Sequence, residues 1–302
     1  MGFGKVAVLM GGIAAEREVS LRSGQAVTQA LIAQGIDAVS EDVTELADLQ
    51  RIAQEYDRAF IALHGRWGED GGVQSILDDL KLPYTGSGMA ASAIAMDKLR
   101  TKWMWMGAGL PTPGFVWVSE LMPLDLDNFD LPFPVIVKPC REGSSIGMRK
   151  VYDLESLKQA VEFAQEYDAE VLIEQWITGS EYTGAVLNNK ALPLIELKTT
   201  HDFYDFDAKY KSNDTQYICP CGLDSEVEDE IQDLVLQAFH VIGSKGWGRV
   251  DLMLDEDGQA WLIELNTVPG MTDHSLVPMA AKASGLDFQQ LVVEVLKATL
   301  AQ

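Results

Sequence analysis

The sequence predicts an α/β unit followed by α+β units. Strands and helices alternate through the first 95 residues, Pro111 and Pro113 break that rhythm, and beyond them strands recur in neighbouring pairs. Alternation of the first kind builds βαβ units around a parallel sheet, whereas strands joined by short turn signals build antiparallel hairpins.

Residues 5–10 read as a buried strand turned by Gly11-Gly12, and 15–34 carry a helical pattern closed by Gly35. Strands near 37–40 and 58–64 follow, the latter running into His64-Gly65. A helix over 73–80, a short strand into Tyr84–Gly88 and a long helix through Lys98 to about Met106 complete this part. Ligands of such sheets bind beyond the C-terminal strand ends, where Gly11-Gly12 and His64 lie.

Residues 121–134, rich in Pro, Asp and Leu, suit a surface loop. Strands are then expected at 135–138 paired with 147–151, at 171–177, and at 182–187 paired with 191–198 through an Asn188-Asn189 turn. One amphipathic helix covers 154–167, and residues 201–213 mix aromatics and charges without a period. A helix at 227–242, a hairpin turned at 255–258 and two closing helices end the chain. Three units are expected, at 1–96, 97–180 and 181–302.

The formal charge of −23 disfavours a nucleic-acid or anionic membrane partner, because both would be repelled. Three cysteines, two of them in Cys219-Pro220-Cys221, form neither a disulfide framework nor a zinc pattern, which fits a reducing cytoplasm. The apolar run at 6–10 is too short for a signal or a membrane span, and Val6 breaks the acylation pattern that Gly2 would open.

Chemistry first shows in the last hairpin, GRVDLML (248–254) and QAWLIELN (259–266). With the turn centred on Glu256-Asp257, Leu254 is expected opposite Gln259 and Arg249 opposite Glu264. Period-two alternation then puts Arg249, Asp251, Glu264 and Asn266 on one face, with Asp251 and Glu264 diagonal. Two carboxylates and an amide oxygen suit Mg²⁺ better than zinc or copper. A solvated charged face explains the same pattern. VIVKPCREGSSIGM (135–148) offers Lys138 and a Gly/Ser flap whose backbone N–H groups suit phosphate, although an ordinary hairpin would look alike. EVLIEQWI (170–177) places Glu174 where a base or ribose could be met, or is an edge strand with exposed acids.

In order, the chain also contains GGIAAEREVSL, ALHGRWGEDG, PYTGSG, MDK, FYDFDAKY, GWGRVDLM, ELNTVPGMT and HSLVPMAA. From Lys5 to about Val293 this series closely resembles the D-alanine–D-alanine ligases of the ATP-grasp superfamily. The resemblance implies an ATP-grasp fold behind an N-terminal parallel α/β (pre-ATP-grasp) domain. It implies that D-alanine is phosphorylated by ATP to an acyl phosphate, which the amine of a second D-alanine attacks, for peptidoglycan precursors in the cytoplasm.

By the same resemblance Lys98 and Lys138 hold the ATP phosphates, with Ser145 in the flap that closes over them. Glu174, Trp176, Ile177 and Glu181 meet the adenine and ribose. Asp251, Glu264 and Asn266 ligate two Mg²⁺ ions, with Mn²⁺ an alternative. Arg249 and Gly270 serve the oxyanion, and Glu16 takes the first ammonium. Lys209, Ser275 and Leu276 receive the second carboxylate. Tyr210, with Ser144 and Glu16, closes the site and favours the dipeptide over a depsipeptide. A homodimer is implied as well. Cys140, Trp67 and Val268 depart from the commoner pattern, and His64 suits a substrate-orienting or a structural role equally.

A dinucleotide-dependent oxidoreductase is excluded, since the turn after the first strand reads GGIAAE with no third glycine. A related ligase for another acid and amine is opposed by Glu16, Tyr210 and Ser275. A non-catalytic relative is opposed by Asp251, Glu264 and Asn266.

Overall fold

A computed structural model describes residues 2–143, 145–198, 215–272 and 274–301. Its first sheet is parallel, with order β2-β1-β3: β1 Val6–Met10, β2 Ala38–Asp42 and β3 Arg58–Ile61. All five residues of β1 are buried, as expected for the central strand of a covered parallel sheet. Helix α1 (Arg17–Ala33) makes the first crossover and α2 (Leu46–Glu55) the second. The sequence reading lacked α2, which a reciprocal Glu45/Asp48 capping box starts and which buries only Leu49 and Ile52. Tyr84 makes a single parallel bridge to Ala59 rather than a strand.

Helix α3 (Gly72–Asp79) follows, and the expected long helix is two: α4 (Met89–Met96) and α5 (Lys98–Gly107). They are broken at Asp97, whose extended backbone and side chain, accepting from Arg100 N, cap α5. A second sheet has order β4-β7-β5-β6, from β4 Phe115–Val118, β5 Val135–Pro139, β6 Arg149–Val151 and β7 Val171–Gln175, with α6 (Leu154–Gln165) packed on it. The prolines at 111 and 113 hid β4.

The third sheet is antiparallel, with order β11-β10-β8-β12-β13, and β9 also pairs with β8. Its strands are β8 Gly179–Leu187, β9 Lys190–Ala191, β10 Ile195–Lys198, β11 Gln216–Ile218, β12 Trp247–Asp255 and β13 Ala260–Asn266. Asn188 and Asn189 both have positive φ, the conformation of a two-residue hairpin turn. Helix α7 (Ser225–Val241) covers one face of this sheet, and Trp105 of α5 donates its indole N–H to Ala238 O at 3.0 Å there. The closing helices α8 (Leu276–Ala283) and α9 (Phe288–Lys297) return to the first core, where Val277, Leu291, Val292 and Val295 pack with the strands of the parallel sheet. Arg58 on β3 reaches Thr299 Oγ1 at 2.7 Å. This return brings the segment after β13 against the C-terminal ends of the parallel strands.

Candidate active site

One wall of the site is the β12–β13 hairpin. Its register differs from the sequence expectation: Leu254 pairs with Ala260, not Gln259, and Arg249 pairs with Asn266, not Glu264. Asp251 and Glu264 are directly opposed rather than diagonal. Two causes combine. The turn is one residue longer, since Asp255 N donates to Gln259 O, and the register shifts again at a bulge that leaves Ile263 unpaired between Leu262 and Glu264.

Without that bulge Glu264 and Asn266 would share the face of Leu262, which lies in the core under α7. The extra residue turns both acid and amide to the face of Arg249 and Asp251, the re-aiming that bulges perform. Thr183 donates to Asp251 Oδ1 at 2.6 Å, and Arg249 grips the same carboxylate with two bonds of 2.8 and 2.6 Å.

The facing wall comes from the parallel sheet. Glu16 is the residue immediately before α1, just past the Gly11-Gly12 turn. Two glycines make room for its carboxylate: a Cβ at Gly65 would lie 2.4 Å from Oε2, and one at Gly143 would lie 2.8 Å from Oε1. Thus the His64-Gly65 strand end and the flap meet at Glu16. His64 is buried, with Nε2 3.3 Å from Ser23 Oγ and Nδ1 3.9 Å from Glu69. Ser23 Oγ also accepts from Met271 N at 3.1 Å, tying α1 to the segment after β13.

Lys98 opens α5 and enters from the third side. Its ammonium donates to Glu142 O at 2.6 Å and stands 3.7 Å from Glu264 Oε2, so it bridges flap and hairpin. Arg66 forms an ion pair with Glu142 across the same gap. The floor is formed by Gly270, Ser275 and Leu276. Ser275 precedes α8, and its Oγ accepts from Thr272 N at 2.9 Å. The N-terminus of α8, at Ser275 and Leu276, lines the cleft, a setting that favours a carboxylate. Glu16, His64, Glu69, Lys98, Glu142, Arg249, Glu264, Asn266, Gly270, Ser275 and Leu276 all line this one cleft.

Other expected residues are placed elsewhere. Lys138 and Glu174 do not open into the cleft; they are buried and bonded to each other at 2.6 Å, with Lys102 on the other carboxylate oxygen. Burial opposes the Glu174 charge, but Lys102 and Lys138 hold its carboxyl below the ordinary value of 4.5. Strand β7 lies between β4 and β5, so the alternative of an exposed edge strand falls away. Trp176 lies under the Lys150 ammonium, 3.6 Å from the ring centroid, and Ile177 beside it is buried. Glu181 sits in β8 opposite Leu197 and Met253. Ser145 takes a positive φ of 60° in the flap turn. Ser144, Lys209 and Tyr210 lie outside the described residues.

The family profile described as D-ala D-ala ligase C-terminus matches residues 104–297, and the one described as D-ala D-ala ligase N-terminus matches 37–87. A D-alanine–D-alanine ligase of Hydrogenovibrio crunogenus is 69% identical over 297 residues, covering 98% of this chain and 95% of that protein. The chain belongs to the D-alanine–D-alanine ligase family.

Two solved ligases of this family, both from Bacillus anthracis, superpose closely. One has a TM-score of 0.90 at 35% identity, covering 98% of this chain and 97% of its own. The other, complexed with ATP, has a TM-score of 0.88 at 32% identity, covering 99% and 98%. The α/β arrangement with its leading parallel sheet is the fold of these ligases.

Within this ligase family fold, several residues escaped the sequence reading. Glu69 lies inside a motif already singled out and could have been named from it. Ser23 and Lys102 could not: each sits in a helix with no local signal, and only packing reveals its partners. Cys140 packs with Leu99 and Leu172, where burial pushes its thiol up to about 12. Trp67 packs on the first core, and Val268 is buried in it. No group of three His, Cys, Asp or Glu suited to a metal occurs among the described residues. The candidate donors are instead Asp251 and Glu264, directly opposed, with Asn266 on their face. Three hard oxygen donors of this kind fit Mg²⁺ or Mn²⁺.

Proposed function

We propose that the chain joins two D-alanines into D-alanyl-D-alanine at the expense of ATP, supplying peptidoglycan synthesis. The observation that carries this reading is the single cleft in which an acid from the parallel sheet, an arginine and acid–amide pair from the hairpin, and a helix N-terminus converge.

Glu16 receives the ammonium of the first D-alanine, and the small Gly65 and Gly143 keep its carboxylate in place. Arg249 and the backbone at Gly270 accept the charge that develops on the reacting carboxyl oxygen. The start of α8, with Ser275 and Leu276, and Lys209 hold the second carboxylate. Lys98 and Lys138 bind phosphate oxygens under the flap with Ser145, and Trp176, Ile177, Glu174 and Glu181 form the nucleotide's slot. Asp251, Glu264 and Asn266 would hold Mg²⁺ or Mn²⁺, which supplies neutralisation of the transferring phosphate's charge. The flap excludes the water that would hydrolyse an acyl phosphate. Tyr210 and Ser144 complete this closure, so Tyr210→Phe raises D-lactate incorporation. The work is assigned to the cytoplasm and a homodimer is the expected assembly; no helix among the described residues is long and apolar enough to cross a membrane.

The test is phosphate release with ATP, Mg²⁺ and D-alanine, with the product identified by mass and with L-alanine and EDTA as controls. Phosphate and dipeptide in equal amounts, only with D-alanine and metal, are expected. ATP turnover without dipeptide would assign a different acceptor, and no turnover in a folded sample would overturn the reading.

A further inference from the structure

We infer that Lys102 is a positioning residue that holds the Glu174 carboxylate so that Lys138 can leave it for a ligand phosphate. The inference rests on the reading of Lys138 as a phosphate-binding residue and deepens it.

Lys102, Lys138 and Glu174 are 0%, 3% and 2% exposed. Lys138 Nζ donates to Glu174 Oε1 at 2.6 Å, and Lys102 contacts Oε2. Two ammonium groups thus face one carboxylate, which leaves a surplus positive charge in a site closed to water. A surplus of this kind is costly until an anion joins it. Burial pulls the Lys102 ammonium down to about 8, with Glu174 opposing and Lys138 reinforcing the shift.

The two lysines are not equivalent. Lys102 is also anchored to Thr112 Oγ1 at 2.5 Å, and that hydroxyl donates in turn to Leu262 O at 2.8 Å. Lys138 stands on β5, one residue from the strand's end, and the flap begins immediately beyond it. It is therefore the lysine free to turn toward an anion under the flap. If it did so alone, Glu174 would remain buried and unpaired, which a protein interior penalises heavily. Lys102 removes that penalty by keeping the carboxylate neutralised while Lys138 changes partner. A lysine whose role was only to fill the core would affect adenosine and ATP binding alike.

The experiment compares ATP and adenosine binding by calorimetry in wild type, Lys102→Met, Lys138→Met, Glu174→Gln and the Lys102→Met/Glu174→Gln double variant. Lys102→Met is expected to weaken ATP by about tenfold or more, the worth of one charge-assisted hydrogen bond, with adenosine within about twofold. In the Glu174→Gln background, where nothing demands a counterion from Lys138, adding Lys102→Met should change ATP binding by no more than about threefold. Equal losses for ATP and adenosine in Lys102→Met, or no loss, overturn the inference. If Lys102→Met does not fold, the double variant decides: ATP binding about tenfold or more weaker than in Glu174→Gln alone overturns it. Wild type that fails to bind ATP would instead refute the ligase reading, and unaltered ATP binding in Lys138→Met would refute the phosphate role on which the inference stands.

Discussion

The cleft and the cluster beneath the flap are built from the same materials, opposed acids and bases, yet they differ in access. In the cleft, the lining residues Arg249 and Glu264 are partly exposed, and their ion pairs with Asp251 and Lys98 can be exchanged for ligand atoms. Under the flap, Lys102, Lys138 and Glu174 are closed off, with both ammonium groups facing one carboxylate. Exposure, not composition, decides whether a charge works by meeting a ligand or by holding a neighbour. Truncation should therefore cost activity in the first region, and folding stability together with ATP binding in the second.

The largest effect is expected from Glu174→Ala, which strands two buried ammonium groups and should lower stability by about 3–5 kcal/mol in urea unfolding. A loss within experimental error would mean that the cluster admits water and that the comparison is wrong. Next, Arg249→Met should reduce kcat on the order of 10²–10³-fold with the unfolding midpoint little changed. A large drop in midpoint with intact turnover would reverse the assignment of the two regions.

Gly65→Ala tests the cleft without touching a charge. The added methyl meets Glu16 Oε2, and Gly65 has a φ of 71°, so kcat/KM for D-alanine should fall by up to about 10²-fold. An unchanged value would show that the Glu16 position is not critical. The smallest effect concerns pH. Because the folded-state carboxyl of Glu174 titrates below its ordinary value of 4.5, its pairing stabilises the protein above that pH and the contribution fades as pH falls through the folded value. Glu174→Gln should accordingly flatten the acid limb of a stability–pH curve, and a parallel limb would place the acid sensitivity elsewhere.

Much of this was legible in the residues. The buried first strand, the Asn188-Asn189 turn and the antiparallel pair around the flap all carry local signals, and they fold as those signals indicate. Helix α2 escaped because it buries only two side chains, and β4 because prolines precede it. The break at Asp97 was written in an Asp followed three residues later by the amide that it caps.

The hairpin is the sharpest case. Alternation alone put Arg249, Asp251, Glu264 and Asn266 on one face, and they do share it, but through another register. A longer turn and a bulge at Ile263 each shift the pairing by one, and two odd shifts restore the parity. By itself the sequence determined which residues form strands and which chemical groups they carry, because backbone propensity and side-chain chemistry are local. Only the tertiary structure decided that α8 and α9 return to the first core, that Glu16 faces the hairpin, and that Lys102 shares Glu174 with Lys138. Those outcomes depend on packing and on exclusion of water between segments far apart in the chain, which no local pattern records.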